Sequence, residues 1–200
     1  MPRILSSVRG FFLPHSPGIS GKLWFLPTFP IMIIRPALAS DAFAIAQTHV
    51  KSWQHAYASF LPASYLASLS VDARCKMWQA AIAKGAPKVM VAEQNGHIAG
   101  FAAIGPSRDE GALAQDFEIW AIYLAPEYWG QGIGGQLWHA LREFSVQCGA
   151  QSVSLWVIAD NTRAMHFYEA HGFERQADSL THFELGGVSL QEVRYTQVLA

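Results

Sequence analysis

The sequence has no surplus charge: its 200 residues carry 14 Lys and Arg against 15 Asp and Glu, and charged residues make up only 14% of the chain. No excess of positive charge is there to draw the chain to a polyanion, so neither nucleic acid nor an anionic membrane surface is expected. Cysteine is scarce as well. Cys75 and Cys148 stand in no metal or redox spacing, which fits two thiols in a reducing cytoplasm. No G-x-x-x-x-G-K-[ST] occurs, so P-loop chemistry is excluded. His166 and His171 are five apart and off one helix face, unlike the pair in H-E-x-x-H, and His182 sits alone in a strand pattern; no metal is expected. No spacing argues a Ser-His or Cys-His nucleophile.

Residues 1 to 31 lack any helix or strand period, broken as they are by Pro2, Pro14, Pro17, Pro27 and Pro30 and by Gly10, Gly18 and Gly21. Arg9 interrupts the apolar run that a signal peptide needs, and the segment is too broken to span a bilayer. It is expected to be a disordered extension or an over-called translation start, ahead of a single domain over 32–200. A peripheral membrane arm on Phe11, Phe12, Trp24 and Phe25 is the alternative.

The chain is 51% hydrophobic, enough for one globular core. Its organising stretch runs from Glu118 to Phe144. Apolar residues from Ile119 to Leu124 read as a strand, with Glu118, Trp120, Ile122 and Leu124 on one face and Phe117, Ile119, Ala121 and Tyr123 on the other. Pro126 ends it. Gly130, Gly132, Gly134 and Gly135 follow, and then Leu137, Leu141 and Phe144 recur at helical spacing. A glycine turn entering a helix offers backbone N–H groups and the positive end of the macrodipole to an anion, and a Cβ at Gly132 or Gly134 is expected to fill the phosphate's place.

Three assignments compete for this turn. Gly130, Gly132 and Gly135 spell G-x-G-x-x-G, and Asp160 ends the next strand where a ribose-binding acid would sit, yet Ala125 to Trp129 intervene and no further βαβ units flank it. A tight turn that only packs is the plainest option. The third is a resemblance. Trp129, Gly130, Gln131, Gly132, Ile133 and Gly134 resemble the coenzyme A motif Q/R-x-x-G-x-G/A of the GNAT superfamily of N-acetyltransferases, with Trp129 in place of Gln or Arg. That departure touches a side-chain contact and leaves the turn intact. The run N-T-R-A-M-H-F-Y-E-A-H-G-F from Asn161 to Phe173 is similar to the family's closing motif, and the likeness extends from about Ile33 to Leu199.

The remaining pattern agrees. A strand over 31–35 leads to a helix over 41–58 with Ser40 as cap; a short helix runs from Pro62 to Leu69; Ser70 caps another that ends at Gly85. Asn95-Gly96 joins strands over 88–93 and 97–104 as a hairpin, and 105–115 is a polar loop. A strand over 152–158, a helix capped by Asn161, and two strands over about 175–185 and 188–199 joined by Gly186-Gly187 complete the chain. The fold class is α/β (α+β), a mixed, mostly antiparallel central sheet of about seven strands with flanking helices.

The resemblance implies transfer of acetyl from acetyl-CoA to a primary amine of a small molecule or peptide, in the cytoplasm, and leaves a homodimer open. It places the pantetheine arm on main chain at Ile122, Tyr123 and Leu124, the pyrophosphate on Gly130, Gln131, Gly132, Ile133, Gly134 and Gly135, and Asn161 near the cofactor. An ammonium with a pKa of about 10.4 needs a base. Glu118, beside Trp120 on the central strand, is the candidate. Tyr168 falls where many members keep a tyrosine that protonates the leaving thiolate. Trp53 and Tyr57, one turn apart, are either acceptor-cleft residues or core aromatics. A sensor that binds acetyl-CoA without turnover is the alternative function.

Overall fold

The computed structural model describes residues 31–199, so the expectation for the amino-terminal segment falls outside the described residues apart from Ile31. Eight strands form one sheet in the order β1-β2-β3-β4-β5-β8-β6, with β7 also paired to β8. The first four are β1 (Met32–Pro36), β2 (Lys88–Gln94), β3 (His97–Pro106) and β4 (Asp116–Leu124). They run antiparallel in sequence. β5 (Ser152–Ile158) then joins β4 in parallel, and β8 (Val188–Val198) returns antiparallel beside it. The strand expected over 175–185 is split into β6 (Glu174–Arg175) and β7 (Thr181–Leu185). Between them Asp178 takes a φ of 57° and Ser179 Oγ donates to the Gln176 carbonyl at 2.8 Å. A local turn there interrupts the ladder, so the count is eight and not seven.

Helices cover both faces. On one, α1 (Ala42–Ala56) and α3 (Val71–Lys84) bring Ile45, Ala46 and Trp78 against Val91, Phe101 and Ala103; the short α2 (Ala63–Ala67) lies between them in the chain. On the other, α4 (Ile133–Gln147) buries Leu137, Trp138 and Leu141 against Ile104, Val153 and Leu155, and α5 (Thr162–Ala170) packs Met165 and Phe167 beside them. The caps follow the sequence in two cases: Ser70 accepts from Ala73 N at 3.2 Å and Asn161 from Ala164 N at 3.2 Å. Ser40 does not cap α1. It lies inside a 3-10 turn, Ala39–Asp41, where the Asp41 carboxylate takes the Leu38 N–H at 2.7 Å and pairs with Arg35.

The alternation expected for β4 breaks at one point. Ala103 pairs with Ala121 but Ile104 pairs with Ile119, so Trp120 is an extra residue, a β-bulge. Past the bulge the parity changes. Phe117, Ile119, Ile122 and Leu124 belong to the α4 side, and Trp120, Ala121 and Tyr123 to the α1 side. Glu118, paired with Gly105, shares the α1-side face with Trp120, Ala121 and Tyr123, whereas simple alternation grouped it with Ile122 and Leu124.

Candidate active site

Two parallel strands part company in the middle of the sheet. β4 and β5 pair only through 116–118 and 152–154; beyond that a cleft of about 520 Å³ opens, with residues 119–124 on one wall and 156–158 on the other. Trp53 and Tyr57 of α1 line it, their rings edge to face at 5.0 Å. So do Ile122, Tyr123 and Leu124, the glycine turn, Asn161 and Tyr168. The fold therefore gathers every expected site residue around one cleft except Glu118 and Gln131.

At the turn, Gly130 and Gly132 have φ of 74° and 76°, and a Cβ on either would meet nothing within 4 Å. Glycine is needed here for the left-handed backbone, and the space in front stays open. The first helical bond of α4 runs from Gln136 N to Gly132 O. The N–H groups from Gly130 to Gly135 find no protein acceptor among the described residues. The unpaired donors at this helix start form a cradle that an anion fits. Gly134 and Gly135 have another use. A Cβ at Gly134 would stand 3.0 Å from the Phe167 ring and one at Gly135 2.7 Å from His171 Nε2, so these two glycines let α5 lie close to α4. The expectation that Gly134 clears room for phosphate is corrected accordingly.

Trp129, the departure from the motif, has local partners. Its Nε1 donates to the Leu124 carbonyl at 3.0 Å, which occupies one main-chain acceptor of the strand expected to hold pantetheine. Arg163 stacks on its indole, 3.6 Å from the ring centroid. Gln131 is exposed and donates to the Glu127 carbonyl at 2.8 Å, bracing the turn. The Asn161 oxygen is engaged in capping α5.

Glu118 is 2% exposed and does not line the cleft. Both of its oxygens are held by Arg108: the backbone N–H reaches Oε2 at 2.9 Å, Nε lies 3.1 and 3.2 Å from the two oxygens, and Nη2 also bonds Oε1. Arg108 lies over the Trp120 ring at 4.7 Å. The loop that carries it is fastened by Asp109, which accepts from Trp156 Nε1 at 2.8 Å and from Arg194 Nε at 2.7 Å. Tyr168 packs on Phe167, Phe173 and Tyr195, and its hydroxyl has no hydrogen-bond partner among the described residues. Burial, with Tyr123 nearby, pushes its pKa well above the usual phenol value. The hydroxyl therefore keeps its proton throughout the neutral range.

Sequence reasoning missed three features. Glu192, on β8, lines the cleft; pattern alone makes it an ordinary strand residue. Arg163 also lines it. His49 is buried: Trp78 Nε1 donates to its Nδ1 at 3.1 Å, and Tyr123 stacks on it at 5.1 Å. Its Nε2 has no partner, and desolvation lowers its pKa to about 3. Its position one turn before Trp53 was the available signal. Among the described residues no helix is long and apolar enough to cross a membrane, and no group of three or more His, Cys, Asp or Glu could hold a metal.

A model of the acetyltransferase (GNAT) family matches residues 50–173. The chain is 38% identical over 164 residues to the uncharacterized N-acetyltransferase YuaI of Bacillus subtilis, covering 82% of this chain and 91% of that protein. It is 27% identical over 142 residues to the L-amino acid N-acyltransferase MnaT of Escherichia coli, covering 71% and 79%. Among solved structures it is similar to PaiA N-acetyltransferase of Thermoplasma acidophilum in complex with coenzyme A. There the TM-score is 0.70 at 18% identity, over 84% of this chain and 99% of that one.

Proposed function

The chain belongs to the GNAT family of acetyltransferases, and from that premise we propose that it moves acetyl from acetyl-CoA directly to a primary amine. The observation that carries this is the cradle of unpaired N–H groups where the glycine turn enters α4, opening into the cleft where β4 and β5 separate. Acetyl-CoA supplies a thioester whose acyl carbon is open to a nucleophile. The pyrophosphate is assigned to the cradle, with Arg163 as the adjacent cation and the main chain of residues 122–124, apart from the Leu124 carbonyl that Trp129 occupies, along the arm.

The acceptor must shed a proton before its nitrogen can attack. The C–N bond then forms as the C–S bond breaks, the nitrogen loses a second proton, and the departing sulfur takes one back. Tyr168 is the donor facing that sulfur. Because a buried phenol is a weaker acid than a thiol near 8.5, its contribution is a hydrogen bond that stabilises the developing thiolate. Glu118 is the proposed base, and Arg108, 57% exposed on its loop, must lift off for the carboxylate to work. The two free cysteines suit a reducing compartment, so we place the enzyme in the cytoplasm.

The same clamp of Arg108 on Glu118 favours a second function, an acetyl-CoA sensor without turnover. Thiol release from acetyl-CoA separates the two when measured against polyamines, amino acids, aminoglycosides and amino-terminal peptides, alongside CoA binding by calorimetry. Release that depends on one acceptor class supports the enzyme. Tight binding with no release across the panel supports the sensor, and absence of CoA binding refutes both.

A further inference from the structure

We propose that Glu192 is the site that receives the acceptor's ammonium group, and that the cleft selects a primary amine on an aromatic or aliphatic body with no carboxylate beside the nitrogen. This rests on the acetyltransferase function proposed above and names its acceptor class.

Among the described residues, only two side chains with a full charge at neutral pH line the cleft, Arg163 and Glu192. Arg163 is stacked on Trp129 at the glycine turn, where the cofactor's phosphates are assigned. Glu192 is placed differently. It pairs with Ile158, and two residues along β8 Arg194 reaches Asp109 of the loop. Side chains two apart on a strand share a face. Glu192 therefore stands on the loop's side of the sheet, and the charges that reach it are those of Glu118, Arg108 and Asp109.

Each neighbouring carboxylate already has a partner: Glu118 has Arg108, and Asp109 has Arg194 and Trp156. Glu192 is half-buried and has neither an ion pair nor a hydrogen bond among the described residues. Three carboxylates against two guanidiniums leave this end of the cleft one negative charge in excess, and Glu192 carries it. Burial, followed by the Glu118 charge, raises its pKa, as expected of a carboxylate that lacks its cation. The cleft that Glu192 lines is walled by Trp53, Tyr57, Trp120, Trp156, Phe183 and Leu185 among others, apolar and aromatic surfaces that suit the body of an amine and the face of an ammonium. While Arg108 holds Glu118, an α-carboxylate on the acceptor would find no unpaired cation among the described residues at this end, and it would meet the excess negative charge.

Phenethylamine and phenylalanine test this directly, because they differ by that one carboxylate. Binding to the full-length, CoA-saturated protein is read by quenching of tryptophan fluorescence. Wild type is expected to bind phenethylamine at least about tenfold tighter than phenylalanine, the scale of one charge pair in a half-buried site. Glu192→Gln should weaken phenethylamine by about tenfold and narrow the gap, and Glu192→Asp should retain most of the affinity. CoA affinity and melting temperature should stay at the wild-type values in Glu192→Gln, and wherever turnover is seen, KM for the amine should rise while kcat holds. Equal or tighter binding of phenylalanine, an unchanged phenethylamine Kd in Glu192→Gln, or no saturable phenethylamine binding would each overturn the assignment. Absence of CoA binding in the wild type would instead refute the acetyltransferase function, and the same amine titration run without CoA would still decide Glu192.

Discussion

Replacing Arg108 by Ala would leave a carboxylate that is 2% exposed with the loop's backbone N–H as its remaining strong donor. Breaking a fully buried pair costs about 3–5 kcal/mol. The guanidinium here is 57% exposed, so water would follow it in and hydrate the freed carboxylate, and we expect a loss of about 2 kcal/mol. For a chain of this size that lowers Tm by about 4–8 °C. Glu118→Gln removes the charge and should cost about 1 kcal/mol, since Arg108 then faces solvent and keeps its stack on Trp120. The double variant should lose less than the sum, with a coupling of about 1 kcal/mol. Urea unfolding followed by tryptophan fluorescence measures all four corners of the cycle. A Tm for Arg108→Ala within about a degree of wild type, or strict additivity, would refute the burial argument. The same proteins test the chemistry. Arg108→Ala uncovers the proposed base and should retain or raise thiol release, whereas Glu118→Gln should lose about 100-fold. If both variants are equally slow, Glu118 acts by holding Arg108 and takes no proton itself.

Other outcomes follow from the glycines and the buried rings. Gly132→Val should weaken CoA binding by calorimetry with little change in the near-ultraviolet circular dichroism, whereas Gly134→Val should alter that spectrum and lower Tm, because its side chain meets Phe167. Tyr168→Phe should lower kcat while leaving the CoA Kd unchanged, and because burial raises the Tyr168 pKa, no alkaline fall in rate below about pH 10 should disappear in the variant. His49 has a folded pKa of about 3, below its unfolded value near 6.5. The unfolded chain thus binds the extra proton between these values, and the stability that His49 contributes is full above about 6.5 and declines as pH falls toward 3, by up to about 1.4 kcal/mol per unit. His49→Asn, which keeps an acceptor for Trp78, should unfold less steeply with acid than wild type in urea titrations at stepped pH.

Much of this was legible because local rules and the fold agreed. Asn95-Gly96, with φ of 52° and 80°, makes the hairpin that its dipeptide implies, and the glycine turn opens α4 where the pattern put it. Failures came where a tertiary contact overrode local pattern. One unpaired residue at Trp120 shifts the parity of β4, and no periodicity in the sequence marks it. Gly134 reads as part of a phosphate motif, yet its neighbour is a ring 33 residues further along. Glu192 is invisible in sequence because its position depends on β8 returning beside β5, a pairing between segments that only the folded sheet brings together.

Asp109 has a mechanical consequence. Trp156 and Arg194 are register partners on β5 and β8, and Asp109 holds both, while the loop it belongs to runs on into β4. The gap between β4 and β5 is thereby spanned from outside by a strut anchored on each bank. Spreading the walls would break that strut, so on the proposed function the cleft would act as a gauge of set width, selecting an acceptor by its width and not by closing around it.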